Sequence, residues 1–350
     1  MNAQTTRRAR IGTALAIAAV SLLTAAGCAS SEAADGGTDS TADSGAAAEP
    51  TTIDLVGFAV IKSAYDALGE AFAETDEGEN VTIAASYGAS GAQSRAVIAG
   101  QPADVVALSL TPDVQAIADE GLVAEDWASD EDKGIVSHSV VVLAVREGNP
   151  LGIEGWDDIV KPGVGIVTAD PGTSGSAKWN LLGAYSQALG ENDDKAAAEA
   201  YLGAFVDNVV SWNDSGRTAT EAFVNGTGDV LISYENEAIA ARASGIALDY
   251  VVPDTTFLIE NAAAVTVDAP QQAKDFLDFV RSDEGQLILG GKGFRPVGDA
   301  TAATDVEGAN DPSKPFPDVT IVTVEDLGGW KTVNTELFDK ENGLVAQLRK

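Results

Sequence analysis

Three times in this chain an apolar run ends in a short turn of Ser and Gly and opens at once into a helical pattern. The turns are Gly88-Ala-Ser-Gly91, Thr173-Ser-Gly-Ser176 and Asp214-Ser-Gly-Arg217, after the runs 81–84, 164–168 and 209–212. Strand, tight turn and helix start within about fifteen residues leave few folds available. Repeated along a chain, such units predict an α/β fold with a mostly parallel sheet covered on both faces. Each turn also has a chemical consequence. The first N–H groups of a helix have no partner inside it, and the helix dipole favours negative charge there. Ser174 is a good N-cap, and Gly175 and Ser176 put little side chain over the first turn. A small anion fits such a place without any basic side chain. One turn alone reads as an ordinary capped helix. Three of the same character favour a shared anion site, because ligands of open α/β sheets bind beyond the carboxyl ends of the strands.

The rest of the pattern agrees. Strands are expected at 53–56, 81–84 and 104–108, with helices at 63–73, up to 99, and from Thr111-Pro112, where Pro occupies the first helical position. The long apolar run 139–145 is a buried strand, and a second α/β set follows it. That set holds the helix 194–206, the strand 209–212, the helix 218–224 and the strand 229–233. The extended run 257–267 returns to the first set, followed by the helix 273–281 and the segment 285–297. Residues 311–350 read as a closing segment packed on the outside. At 350 residues the chain has room for two compact lobes.

Charge narrows the function. With 54 acidic and 21 basic residues the formal net charge is −33. A nucleic-acid partner is excluded, since phosphate backbones require clustered Lys and Arg. Electrostatic attachment to an anionic membrane surface is disfavoured as well. An anion must therefore be captured locally, against the overall field.

The first 27 residues stand apart from the fold. Arg7, Arg8 and Arg10 precede an uncharged run, 11–26, that is too short and Ala-rich for a membrane span. The run ends at Ala25-Ala-Gly27-Cys28, and Cys28 is the only cysteine of the chain. This resembles a bacterial lipoprotein signal, which implies that Cys28 is lipidated, anchors the protein to the membrane and becomes its mature N-terminus. The residue three before the cysteine is Ala25 where Leu is usual, and Arg7-Arg8 is a weak match to a twin-arginine export signal. Residues 28–50 are small, polar and acidic, which suits a flexible tether. With a single cysteine there is no internal disulfide, so stability must come from the core.

Four segments carry a wider likeness: Tyr87-Gly-Ala-Ser-Gly-Ala-Gln-Ser94, Thr173-Ser-Gly-Ser-Ala-Lys-Trp-Asn180, Gly228-Asp-Val-Leu-Ile-Ser-Tyr-Glu-Asn-Glu-Ala238 and Gly293-Phe-Arg-Pro-Val297. In this order, over about residues 51–340, the sequence resembles the sulfate/thiosulfate-binding proteins of ABC importers. The resemblance implies a two-lobed periplasmic-binding-protein fold of type II kind, with residues 51–138 and 257–350 in lobe 1 and 139–256 in lobe 2. A dehydrated sulfate or thiosulfate would sit between the lobes, for delivery to an ABC permease and its ATPase. Carried over by motif, the ligand would meet the N–H of Ser90, the hydroxyl and N–H of Ser174, the N–H groups of Gly175 and Ser176, and the N–H of Gly216. Family members often carry Gly at 176 and Ala at 216, changes that leave backbone donors in place. At 234, where better-known members have Trp, this chain has Tyr234, whose hydroxyl is also a donor. The segment 57–60 lacks the family's acidic residue. A monomer is implied, with no cofactor and no metal.

The magnitudes are consistent with that reading. Hydrogen bonds to a charged group contribute about 1.5–3 kcal/mol each, so about five give a gross ~8–15 kcal/mol. Micromolar affinity needs about 8 kcal/mol. Sulfate needs only donors, whereas hydrogen phosphate must also donate one bond. A carboxylate in the pocket would reverse the preference, so Glu235 and Glu237 matter; they are expected at a helix start or on the surface. Arg95, Lys178 and Arg217 are expected beside the turns rather than on the ligand, and Trp179 in the core. Molybdate and phosphate are the rival ligands. A serine hydrolase built on Ser90, Asp113 and His138 is the rival of a different class, and the sole histidine would have to be its base. One His and a lipidated Cys leave metal chemistry only carboxylates.

Overall fold

A computed structural model describes residues 50–190, 192–298 and 300–350. The signal, Cys28 and nearly all of the tether lie outside the described residues. In the first set β1 (Thr51–Phe58) runs through a 3-10 turn into α1 (Lys62–Phe72). It continues with β2 (Val81–Gly88), α2 (Ser90–Ile98), β3 (Val105–Leu108) and α3 (Thr111–Asp119). β4 (Ile135–Arg146) crosses to the second set, with α4 (Trp156–Ile159), β5 (Ile166–Ala169), α5 (Gly175–Leu189) and α6 (Lys195–Asn208). β6 (Val209–Asn213), α7 (Gly216–Val224), β7 (Val230–Tyr234), α8 (Glu235–Ala243) and β8 (Leu248–Val251) complete it. β9 (Thr255–Val265) crosses back to α9 (Gln271–Arg281) and α10 (Asp283–Gly291). β10 (Thr320–Val322), α11 (Gly329–Glu336) and α12 (Leu344–Leu348) follow.

The strands form a two-lobed α/β fold, with order β2-β1-β3-β9-β4-β7-β5-β6, β10 on β9 and β8 on β4. Pairs within each set are parallel: β1 with β2 and β3, and β5 with β6 and β7. The two crossing strands are antiparallel to each other, β9 is antiparallel to β3, and β4 is antiparallel to β7 and β8, whereas the short β10 joins β9 in parallel. β4 changes partner at one peptide: Val140 still pairs Leu258 of β9, whereas Val141 pairs Tyr234 of β7. Its residues Val140 to Ala144 are fully buried, as expected for a strand covered on both faces.

Parts of the segment 257–350, expected in lobe 1, also pack against elements of the second set. Val306 and Ala309 pack in one cluster with Ala238, Ile239 and Tyr250 of α8 and β8. Trp330 of α11 meets the buried Trp179 of α5 edge-on, with ring centroids 5.0 Å apart. Arg349 pairs with Asp170 just beyond β5. The cause is apolar surface: the outer faces of α5 and α8 would otherwise leave aromatic and aliphatic groups in water. The short elements α4 and β8 are not among those expected from the sequence.

Candidate functional site

Four helical N-termini face one small cavity. Its lining is Phe58, Ala59 and Val60 after β1; Gly88, Ala89 and Ser90 after β2; Ser109 after β3; and Ser174, Ser176, Ser215 and Gly216 from the second lobe. No charged side chain is among these lining residues. At three of the four helix starts no side chain caps the first turn: Phe58 before the 3-10 turn, Ala89 before α2 and Ser174 before α5. Their first N–H groups are therefore left for whatever occupies the cavity. The fourth start differs, because the Ser215 hydroxyl accepts from the Thr218 N–H in a capping box. That bond holds the turn so that Gly216 begins α7 against the cavity.

The hydroxyls divide into committed and available ones. Ser90 donates its hydroxyl hydrogen to Asp113 Oδ2 at 2.6 Å, and its oxygen accepts from the Ser109 N–H at 3.0 Å. What Ser90 can offer the cavity is thus its N–H. Burial pushes the Asp113 carboxyl above the usual range, and the Ser90 bond draws it back down. Ser109 is the junction of the two lobes. The Trp179 indole N–H donates to its carbonyl at 3.0 Å, and Tyr234 Oη lies 2.7 Å from its Oγ. A Cβ on Gly175 would stand 2.6 Å from Ser109 Oγ, so only glycine allows the α5 start to approach this closely.

The structure brings Ser90, Ser174, Ser176 and Gly216 together on the cavity, with Gly175 beside them at the start of α5. Tyr234 is placed differently. It is fully buried, absent from the lining, and reaches the cavity through Ser109 and the neighbouring Ser176 hydroxyl. Burial raises its phenol well above the usual range, so it remains a neutral donor. Ser109 and the backbone of residues 58–60 are not recognised as site residues in the sequence, and Ser215 lies in the turn 214–217 without a role of its own assigned there. Phe58 ends β1 and Ser109 directly follows β3, each where a strand leads into a helix, and that position is the signal by which they could have been found.

The residues that raised concern lie elsewhere. Glu235 and Glu237 do open α8, as read, but they are buried rather than on the surface. Glu235 is held by Arg295 at 2.7 and 3.1 Å, and Glu237 faces Arg217 at 3.1 Å. Burial raises both carboxyls, and the arginines lower them in part. Arg95, Lys178 and Arg217 do not line the cavity, and Trp179 is wholly core. His138 Nδ1 lies 3.0 Å from the Pro296 carbonyl, while Ser90 contacts Asp113 directly. No Ser–His relay is formed by these three.

A donor-lined cavity closed between two strand-linked lobes is the arrangement of a solute-binding protein rather than an enzyme. The chain belongs to the bacterial extracellular solute-binding proteins, matching that family over residues 53–295. It is 36% identical over 346 residues to the sulfate-binding protein of Synechococcus elongatus, covering 95% of this chain and 94% of that one. It is 33% identical to the thiosulfate-binding protein of Pseudomonas aeruginosa, covering 81% and 88%. Among solved structures, the sulfate-binding protein SubI from Mycobacterium tuberculosis aligns with a TM-score of 0.77 at 41% identity, covering 83% of this chain and all of that one.

Proposed function

We propose that this protein captures sulfate outside the cytoplasm and delivers it to an ABC permease whose ATPase drives import, with thiosulfate as the second candidate ligand. One observation carries the reading: helix starts from both lobes converge on a cavity lined by backbone and hydroxyl groups without a charged side chain. Such a lining offers N–H and O–H donors to a fully deprotonated dianion. A hydrogen phosphate would need an acceptor for its proton, and Asp113, the carboxylate in contact with the lining residue Ser90, already accepts from it. In this reading Ser90, Gly175, Ser176 and Gly216 donate from the backbone, Ser174 from hydroxyl and backbone, and Tyr234 acts through Ser109 and Ser176. The protein is taken to act as a monomer. Cys28 carries the lipid, and residues 28–50 let the folded part reach the permease.

Calorimetric titration with sulfate, thiosulfate, phosphate and molybdate tests this. Micromolar or tighter binding of sulfate, with thiosulfate close behind and phosphate far weaker, is expected. Preference for phosphate or molybdate overturns it.

A further inference from the structure

A second cavity, of about 330 Å³, lies beside the donor-lined one, walled by α2, the first turn of α5 and the C-terminal residues 338–349. Four basic side chains line it: Arg95, Lys178, Lys340 and Arg349. In a chain with 54 acidic and 21 basic residues, such a grouping is a marked local reversal of sign. Two of the four are already held. Lys178 donates to Asn334 Oδ1 at 2.8 Å and lies over the Phe338 ring, and Arg349 pairs with Asp170. The other two are not: Arg95 and Lys340 are exposed residues with no hydrogen-bond or ion-pair partner among the described residues, and Arg95 acts on Asp113 only through the longer-range attraction of its charge. The two lining carboxylates are occupied. Asp113 accepts from Ser90, and Asp339 accepts from the N–H groups of Glu341 and Asn342.

The two cavities are contiguous. Ser174 lines both, and Ser90 of the inner one adjoins Gly91 of the outer. Between them the lobes nearly touch: a Cβ on Gly91 would stand 3.2 Å from the Thr173 carbonyl oxygen. Parting of Gly91 and Thr173 would open the inner cavity directly onto the basic one.

We infer that the outer cavity is a capture site for the incoming divalent oxyanion, in which Arg95 and Lys340 draw the ion in before it passes between Gly91 and Thr173. The inference rests on the oxyanion reading above and adds a route to it. A dianion approaching a strongly acidic protein is repelled, and a local basic cleft restores attraction at short range. The exposed cations hold the ion weakly, because water and salt screen them. The inner donors then take it, being shielded from solvent. The effect is therefore on association rather than on the bound state.

Stopped-flow tryptophan fluorescence tests this on the intact protein with sulfate, comparing it with the Arg95→Gln/Lys340→Gln double variant at about 10 mM and about 500 mM salt. At low salt the variant is expected to associate about three- to ten-fold more slowly, with an unchanged dissociation rate, and the difference should vanish at high salt. Lys274→Gln, which removes one exposed charge on α9, serves as control. An equal slowing in the control, an unaltered association rate, or a change confined to dissociation would each overturn the capture site while leaving sulfate binding intact. Failure of the unaltered protein to bind sulfate would instead overturn the functional reading, and the capture site with it.

Discussion

The Ser176 hydroxyl fills the space beside Gly216 that a Cβ would take: a Cβ built on Gly216 lies 2.7 Å from Ser176 Oγ and 3.3 Å from Ser176 Cβ. Both residues line the cavity, one at the start of α5 and one at the start of α7. The resembling family's frequent choice of Gly at 176 with Ala at 216 is the same volume assigned the other way round. Gly216→Ala alone should cost about 1–3 kcal/mol of stability through overpacking. Adding Ser176→Gly should restore most of it. A double-mutant cycle by chemical denaturation measures the coupling, and additive effects would show that the two positions do not share this space.

Tyr234 bridges the lobes through its hydroxyl, 2.7 Å from Ser109 Oγ. Tyr234→Phe keeps the ring and removes the bridge, so sulfate affinity should fall by about 1 kcal/mol, roughly five-fold. Titration calorimetry reads the change. An unaltered affinity would leave closure to the Trp179–Ser109 bond and the backbone alone.

Arg295 holds the buried Glu235 in a two-pronged pair and is itself mostly covered. Arg295→Met leaves that carboxylate without its cation and should cost about 3–5 kcal/mol, read as a lowered melting temperature. The double variant with Glu235→Gln should recover part of the loss. A full loss in the double variant would assign the cost to packing rather than charge.

Glu237 gives a pH dependence with a definite sign. Burial raises its folded-state carboxyl above the ordinary value of 4.5, with Arg217 opposing. The unfolded chain then releases this proton at lower pH than the folded one. Stability from this group is full below about pH 4.5 and is lost as pH rises toward the folded value, by at most about 1.4 kcal/mol per pH unit. Glu237→Gln should therefore gain on the parent protein as pH increases from 4.5. Denaturation midpoints of the two at acid and neutral pH test this, and a constant difference would contradict it.

Much of this was legible from residue order. The alternation of apolar runs with amphipathic helices specified an α/β fold, and the Ser/Gly turns marked three of the four helix starts that meet at the cavity. These are local features, set by a few neighbouring residues. The apolar turn at Phe58-Ala59 was not recognised, because what it contributes there is backbone, and backbone donors leave no mark in residue type. The burial of Glu235 and Glu237 was also hidden, since their partners Arg295 and Arg217 are far or opposite in sequence and pair with them only across packed elements.

The sequence alone determined where strands end and helices begin, the excess of negative charge, and hence that any anion must be met by neutral local dipoles. Tertiary structure decided which of those helix ends share a cavity, that Ser90 gives its hydroxyl to Asp113 while Tyr234 stands behind Ser109, and that the C-terminal helices cover the second lobe. The physical reason is range. Helix starts and turns are settled by interactions over a few residues, whereas a hydroxyl's partner and a cavity's lining depend on which distant segments the apolar core draws together.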